Sequence, residues 1–487
     1  MIRLIFDFVP TCLRVALVEN EELVEFNIEH ASMRGIVGNI YKGRVEKVID
    51  TMHCAFVNIG LEKNGFLYTG ESLVEDNKLT EERKIKSKKL KNGDIIMCQV
   101  IKDQFGTKGP RLTTDISIPG SYIVLLPNYE FVGISRKIES FERKQFLLDY
   151  VKENKPKGMG IIIRSSCNSV DVDDILNEMK KLQELWSQIE REYSFSPEKK
   201  LIFEESDLLK RIIRDTLYEN VDEFIVNNEN MVGLLEDEGI NKDKIKYYDG
   251  QDSIFAHYGI SAQIEDLASN KVALSNGGYL IIDKTEALTV MDVNTGKFVG
   301  SKNLEQTAYE ANKEAAKEIA KTLRKRNLSG IIVIDFIDME EENHKKQIVE
   351  YLKEQLKKDN VKTSSVEMTT LGLVELTRKK SRLPVDSFLL DNPKERQFSI
   401  EYLVFKLRDK MISYAMRNSA YNYMVVKVNQ EMMDAILETG YVSKEYSGIL
   451  KDKKIFICVD NTISRGESDI QFYLSEKDIP SNLIELK

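Results

Sequence analysis

The sequence reads as a multidomain α/β and β protein, and three observations carry that reading. The chain has 487 residues, and single cores stop growing near roughly 250–300 residues. Residues 35–118 hold short strand-like runs, Ile40–Ile49, Ala55–Ile59, Gly65–Tyr68 and Asp94–Lys102, with glycine at several turns. That succession describes a small β-barrel. The third observation is Val290–Met339, which reads strand, helix, strand.

In that last stretch two apolar runs each end in an acid, Asp292 and Asp335. Residues 331–337 are β-branched or aromatic apart from Asp335, which describes a buried strand. Residues 302–327 set Leu304, Ala308, Ala311, Ala315, Ile319 and Leu323 on one helical face, with Ser301 as N-cap and Gly330 past the end. Such a unit places Asp292 and Asp335 side by side on neighbouring strands. Two carboxylates so placed repel unless a proton or a cation lies between them. Mg²⁺ is a hard cation that typically takes one or two carboxylates with water and phosphate. Asn294 lies two residues past Asp292 and points to the same side of an extended chain, where its amide can orient a ligand or a carboxylate. Spacing alone equally allows strand-end acids that cap loops.

Composition narrows the class. Hydrophobic content of 42% and charged content of 31% fit a soluble globular protein. No run of about 18 apolar residues is present, so no membrane span is expected. Asp7 and Pro10 interrupt the apolar N-terminus, which lacks a basic start and a cleavage site, and a cytoplasmic location is expected. The five cysteines are scattered without a Cys-x-x-Cys pair and read as free buried thiols. None of the four histidines stands at metal-ligand spacing, so a zinc enzyme is not expected. A net charge of −9 does not advertise a nucleic-acid binder. Only the local basic stretches Lys84–Lys91, Lys321–Arg326 and Arg378–Arg382 could meet phosphate, and each serves as readily as a solvated face.

Along the rest of the chain, residues 1–34 suggest two strands, around Leu13–Leu17 and Leu23–Phe26, too few to bury a core without a later partner. Residues 80–91 read as a charged, helical excursion from the barrel. Residues 119–200 hold a strand at Tyr122–Leu126, a helix at Arg143–Asn154, and a helix at Asp171–Glu192 with Ile175, Met179, Leu182, Leu185 and Ile189 on one face. A helix at Asp207–Tyr218, a strand at Glu223–Val226 and a helix near Asn230–Glu238 follow, and they complete a sheet with residues 1–34. The helix Asn343–Lys357 comes after Asp335. Asp338 falls out of strand phase with Asp335 and is expected to face elsewhere, in a supporting role. Residues 383–398 read as a Pro-containing linker, and residues 399–487 alternate helix and strand as a small C-terminal α/β domain.

The words "LTVMDVNTGKFVG", "TAYEANKEAAKEIAKTLRKRNLSG" and "IIVIDFIDM" resemble, in spacing as well as content, the catalytic segment of the ribonuclease E/G family. The resemblance implies an endoribonuclease in RNA processing and decay that cuts single-stranded RNA, leaves 5′-phosphate and 3′-hydroxyl ends, and favours 5′-monophosphorylated RNA. It implies that Asp292 and Asp335 hold Mg²⁺ with Asn294 assisting. "VGNIYKGRVEKV", "AFVNIG" and "NGFLYTGE" resemble the OB-fold RNA-binding module, implying that Phe56 and Phe66 stack on bases with Lys108 near the strand. Without the resemblance both phenylalanines fit a core. "FVGISRKI" and "GMGIIIRSS" are similar to the family's 5′-sensor, implying that Arg164 and Ser165 grip a 5′-monophosphate through a guanidinium fork and a hydroxyl. Gly120, Val124 and Arg136 fall at matching positions, and Ser165 stands where the family commonly has Thr.

The same resemblance divides the chain. Residues 1–34 and 201–267 would be the two parts of an RNase H-like subdomain, 35–118 the OB-fold barrel, and 119–200 the 5′-sensor region. Residues 268–382 would be the DNase I-like catalytic subdomain, followed by the linker 383–398 and the domain 399–487. No acid cluster in the RNase H-like part suggests catalysis, and His257 there reads as structural. Many members share a zinc ion between two chains through a Cys-Pro-x-Cys motif. This chain has no cysteine between Cys167 and Cys458, so zinc is not expected and any homodimer would form without a zinc link. The end near residue 487 suggests the shorter, ribonuclease-G-like form. The competing readings are a non-catalytic RNA-binding protein and a ribosome-assembly factor of the same fold. The set Asp292, Asn294 and Asp335 favours the enzyme.

Overall fold

Asn20 and Glu21 both adopt left-handed backbone, φ 49° and 70°, the conformation that a two-residue hairpin turn requires. They join Cys12–Glu19 to Glu22–His30, and Ile2–Val9 pairs antiparallel on the other side. The first of these strands was not foreseen. Its Leu4–Asp7 run is buried throughout and lacks the alternation that marks a half-exposed strand. Glu223–Val226 pairs parallel to it and Ile245–Tyr247 pairs parallel to that, making a five-stranded sheet from segments more than two hundred positions apart.

The computed structural model describes residues 1–487 except 10–11, 31–34, 70–89, 104–108, 136, 139, 169, 206–211, 214–220, 251, 298–303, 381–382, 393–394, 443–449, 451–452, 481–482 and 487. Ser301, most of the 80–91 excursion and most of the 207–218 helix expected from sequence lie outside the described residues. The chain divides into two units, Met1–Ser32 with Glu219–Lys487, and Met33–Tyr218. Among the described residues no helix is long and apolar enough to cross a membrane.

In the first unit the N-terminal sheet shares one apolar core with the C-terminal segment: Ile5, Phe26 and Ile225 join Phe405, Met411, Met424 and Ile436. Residues 383–398, read as a linker, place Val385, Phe388, Leu389 and Leu390 in that core. A separate six-stranded sheet runs in the order Lys271–Ala273, Tyr279–Lys284, Leu288–Asn294, Gly330–Asp335, Val374–Arg378, Thr363–Met368. Helices Leu304–Lys325 and Glu342–Leu356 pack Ala315, Ile319, Ile348 and Leu352 against Met291, Val293, Ile332 and Ile334. The strand expected to be buried throughout is half-buried. Ile332 and Ile334 are fully covered while Ile331 is 50% exposed, because the helices cover one side. On the long helix the expected apolar face is buried from Ala308 to Leu323, but Leu304, its first residue, is exposed. The helix stops where Asn327 turns left-handed (φ 49°) and Leu328 N–H bonds back to the Leu323 carbonyl (3.1 Å).

The second unit contains a closed β-sheet. Ile40–Ile49 pairs with Cys54–Asn58 on one side and Ile95–Lys102 on the other, and Gly65–Tyr68 and Arg111–Thr113 complete the ring. This closed, mixed-pairing barrel is OB-like, and Lys200–Phe203 adds a further strand beside Ile40–Lys42. A four-stranded sheet, Val132–Ile134, Gly160–Ile163, Ile123–Leu126 and Ile118–Pro119, packs with helices Phe141–Asn154 and Val172–Phe195. On the long helix Ile175, Met179, Leu182, Trp186 and Ile189 are buried, and Leu185 is only partly so.

Candidate functional site

Strand Leu288–Asn294 lies parallel to Gly330–Asp335 with Asp292 directly opposite Asp335. Thr289, Met291 and Val293 are buried, so alternation turns Asp292 and Asn294 to the other face. Asp335 shares that face with Ile331 and Val333, and both acids are exposed. The amide of Asn294 donates from Nδ2 to Asp292 Oδ2 at 2.8 Å, which fixes the orientation of that carboxylate. Partial desolvation pushes the Asp335 carboxyl above the ordinary aspartate value, and the negative charges of Asp292 and Asp338 push it further. Among the described residues no Lys or Arg forms an ion pair with Asp292, Asp335 or Asp338.

Strand pairing ends at Asp335, so strand alternation does not decide where Asp338 faces. Asp338 is exposed, and its charge acts on Asp335 and on Lys345. The oxygen donors of Asp292 and Asp335 suit a hard divalent cation, and such an ion would relieve their repulsion. The residues present therefore fit the Mg²⁺ that the family resemblance implies.

Glu305, Glu341 and His344 also converge, with one potential ligand atom from each lying within 4.8 Å of the others. Sequence spacing gave no hint of this, because Glu305 and His344 stand 39 positions apart. Here the hydrogen bonds account for the arrangement. Glu305 accepts the backbone N–H groups of Glu340 (2.8 Å) and Glu341 (3.3 Å) and shares a hydrogen bond with His344 Nδ1 (2.7 Å). Those donors hold its carboxyl below the usual glutamate value. The side chain thus satisfies N–H groups at the start of helix Glu342–Leu356.

In the barrel, Phe56 and Phe66 stand opposite each other on antiparallel strands, ring centroids 5.7 Å apart and edge to face. They alternate with the core residues Ala55, Val57 and Leu67, so they occupy the outer face rather than the interior. Tyr68 extends the patch, 4.8 Å from Phe66, and the Arg111 guanidinium lies 4.9 Å from the Tyr68 ring centroid. Sequence reasoning passed over both. Tyr68 was readable as two positions beyond Phe66 on one strand face, whereas Arg111 arrives by strand pairing. Lys108 lies outside the described residues.

The strand pair Ile123–Leu126 and Gly160–Ile163 sets Val124 opposite Ile162 and Ile123 opposite Ile163. Arg164 then falls beside Gly120. Its N–H donates to the Tyr122 carbonyl (2.8 Å) and its Nη1 to the Gly120 carbonyl (2.7 Å). Ser165, half-buried, opens the short turn Ser165–Asn168. Glu178, which the sequence did not single out, accepts the consecutive N–H groups of Ser121, Tyr122 and Ile123 at 2.6, 2.8 and 2.9 Å. A Cβ at Gly120 would lie 2.5 Å from the Glu178 carboxyl carbon, so glycine permits this close approach. Burial pushes the Glu178 carboxyl up despite those bonds. Arg136 lies outside the described residues. The cysteines are all free, four buried and Cys458 half-buried, and His257 is exposed and packs near the rings of Tyr248 and Tyr258.

The first unit thus carries two exposed aspartates opposite each other at paired strand ends, and the second carries an aromatic outer face on its barrel. The model of the ribonuclease E/G family matches residues 117–381. Relatives include ribonuclease G of Haemophilus influenzae, 36% identical over 473 residues that span 94% of this chain and 95% of that protein. Ribonuclease G of Escherichia coli strain K12 is 39% identical over 398 residues, 79% of this chain and 81% of that protein. Ribonuclease E of H. influenzae is 34% identical over 379 residues, which are 76% of this chain and 40% of that protein. The chain belongs to the ribonuclease E/G family, and it is an endoribonuclease.

Proposed function

We propose that the chain hydrolyses single-stranded RNA at Asp292 and Asp335, leaving 5′-phosphate and 3′-hydroxyl ends, and that these carboxylates hold Mg²⁺. One observation carries the reading: two exposed aspartates stand opposite each other in strand register, with no ion-paired Lys or Arg among the described residues. When bound, a divalent ion supplies activation of water and neutralisation of charge at phosphorus. The protein's own groups supply the rest. Asp292 and Asp335 must both be ionised, and Asn294 holds the Asp292 carboxylate through its 2.8 Å hydrogen bond.

In this reading Phe56 and Phe66, with Lys108, hold unpaired bases and backbone by stacking and charge. Arg164, Ser165, Gly120, Val124 and Arg136 take a 5′-monophosphate, which gives monophosphorylated RNA its advantage. The barrel is then an OB-fold module and residues 119–200 a 5′-sensor region. Residues 1–34 with 201–267 form an RNase H-like subdomain, 268–382 a DNase I-like catalytic subdomain, 383–398 the connection and 399–487 the small C-terminal domain. The enzyme acts in the cytoplasm in RNA processing and decay, and any homodimer forms without zinc.

The test is incubation of the purified chain with a short AU-rich single strand carrying either a 5′-monophosphate or a 5′-triphosphate, in Mg²⁺ and in EDTA, with product ends mapped. The reading predicts 5′-phosphate products in Mg²⁺ only, formed faster from the monophosphorylated strand. Cleavage that persists in EDTA, or 3′-phosphate products, would overturn it.

A further inference from the structure

One helix fastens the loop after Asp335 at two points. Asn312, fully buried within Leu304–Lys325, donates from Nδ2 to the Ile337 carbonyl (2.8 Å) and accepts the Ile337 N–H on Oδ1 (2.9 Å). About two helical turns earlier, Glu305 accepts the N–H of Glu340 (2.8 Å) and joins His344 (2.7 Å). His344 in turn lies against the Tyr309 ring, with centroids 4.6 Å apart, and the Tyr309 hydroxyl donates to Gln347 (2.8 Å).

Asp338 sits between the two fastenings. It is exposed and accepts no hydrogen bond from the described residues. A buried asparagine is a costly way to support a plain connection, since an apolar residue there would leave both polar groups of Ile337 unpaired. A loop whose position matters is the natural use for it. The clamping helix also stands between the strand of Asp292 and the strand of Asp335 in chain order and packs with residues of both. Among the described residues the three aspartates do not form a group with one ligand atom from each within 4.8 Å of the others, so the role assigned to Asp338 is that of a charge rather than of a third ligand. A carboxylate acts on a divalent cation through its charge even where it is not a ligand.

We propose that Asn312 and Glu305 are positioning residues: they hold loop 336–341 so that Asp338 adds a third negative charge to the cation site of Asp292 and Asp335. This inference rests on the assignment of that pair as the cation site. The probe is Mn²⁺ alone, titrated into the full chain with free Mn²⁺ followed by electron paramagnetic resonance. Asp338→Asn should weaken Mn²⁺ binding roughly tenfold, as does the loss of a supporting group around a metal site. Its cleavage rate should return to within a few-fold of the unsubstituted chain once Mg²⁺ is raised to saturation. Asn312→Ala and Glu305→Ala should show the same shift, while Glu305→Gln, which keeps an acceptor for the Glu340 N–H, should restore tight binding. If the Asn312 variant fails to fold, the exposed Asp338→Asn decides. Mn²⁺ binding by Asp338→Asn equal to that of the unsubstituted chain, with Asp292→Asn binding none, would overturn the positioning role and leave the cation site standing. Unchanged binding by Asp292→Asn would overturn the cation site itself and this inference with it.

Discussion

Asp7 and Asp335 are strand aspartates of the same unit with opposite surroundings. Asp7 is 1% exposed, yet its carboxyl is held below the ordinary value. Burial alone would push it up. The charges of Arg14 and Arg408 and the hydrogen bonds from Arg14 and Asn227 outweigh burial. Arg14 Nε donates to it at 2.9 Å, Asn227 Nδ2 at 2.7 Å, and Arg408 Nη1 lies 3.6 Å away. Asp335 is exposed, yet its carboxyl is pushed up, by partial desolvation and by Asp292 and Asp338. Asp7 therefore carries its counter-charges within the chain, while Asp335 is surrounded by charges of its own sign. The first pattern belongs to a group that holds a fold together, and the second is the one expected if Asp335 takes a cation from outside, as proposed.

The contrast can be broken in order of expected effect. Asp292→Asn should lower the cleavage rate about a thousandfold, in line with removal of a key electrostatic group, while RNA affinity stays close to that of the unsubstituted chain. Single-turnover cleavage checks this, and retained activity would remove Asp292 from the site. Asp7→Asn should do the reverse. It removes one of the two acids, Asp7 and Asp409, that lie beside the buried Arg14 and Arg408 and should cost about 3 kcal/mol of stability, read from urea unfolding, with cleavage per folded molecule unchanged. Phe56→Ala should weaken binding of a short single strand by about 1–3 kcal/mol. An unchanged dissociation constant would make the outer aromatic face part of the barrel wall only. Arg164→Ala should remove the advantage of a 5′-monophosphate over a 5′-triphosphate, measured as the ratio of cleavage rates. A ratio that persists would take Arg164 out of end recognition.

The two aspartates also predict opposite pH behaviour. The lowered Asp7 pKa contributes stability that is present above its unfolded value and is lost as pH falls through the folded value. The raised Asp335 pKa contributes stability only below its unfolded value, lost as pH rises through the folded one, so at neutral pH its charge opposes folding. Without a divalent cation Asp335 should take up its proton at a higher pH than an ordinary aspartate, and a cation held there would offset that shift, so raising Mg²⁺ should move the acid limb of cleavage to lower pH if Asp335 holds the ion.

Much of the strand end that carries Asp292 and Asp335 was legible because period and wording agreed. The apolar run Ile331–Ile334 leads to Asp335, and parallel pairing across the connecting helix sets it opposite Asp292. Legibility stopped where a local rule lost its footing. Strand alternation does not settle the facing of Asp338, because the strand ends at Asp335. Ile2–Val9 was missed because burial of Leu4–Asp7 removes alternation. Asp7 and its arginine partners, Glu178 beneath the Gly120 turn, and Asn312 beneath Ile337 depend on contacts that sequence order does not display. Polar residues in such places are chosen by the backbone groups they satisfy, and those groups come from other elements.

The most direct measurement compares thermal unfolding of the unsubstituted chain and of Asp335→Asn, each in EDTA and in Mg²⁺. The account predicts a higher midpoint for Asp335→Asn in EDTA, because a repelled charge is gone, and a rise on adding Mg²⁺ in the unsubstituted chain alone. Equal midpoints in EDTA, together with an equal response to Mg²⁺, would contradict the claim that Asp335 lacks a counter-charge until a cation binds.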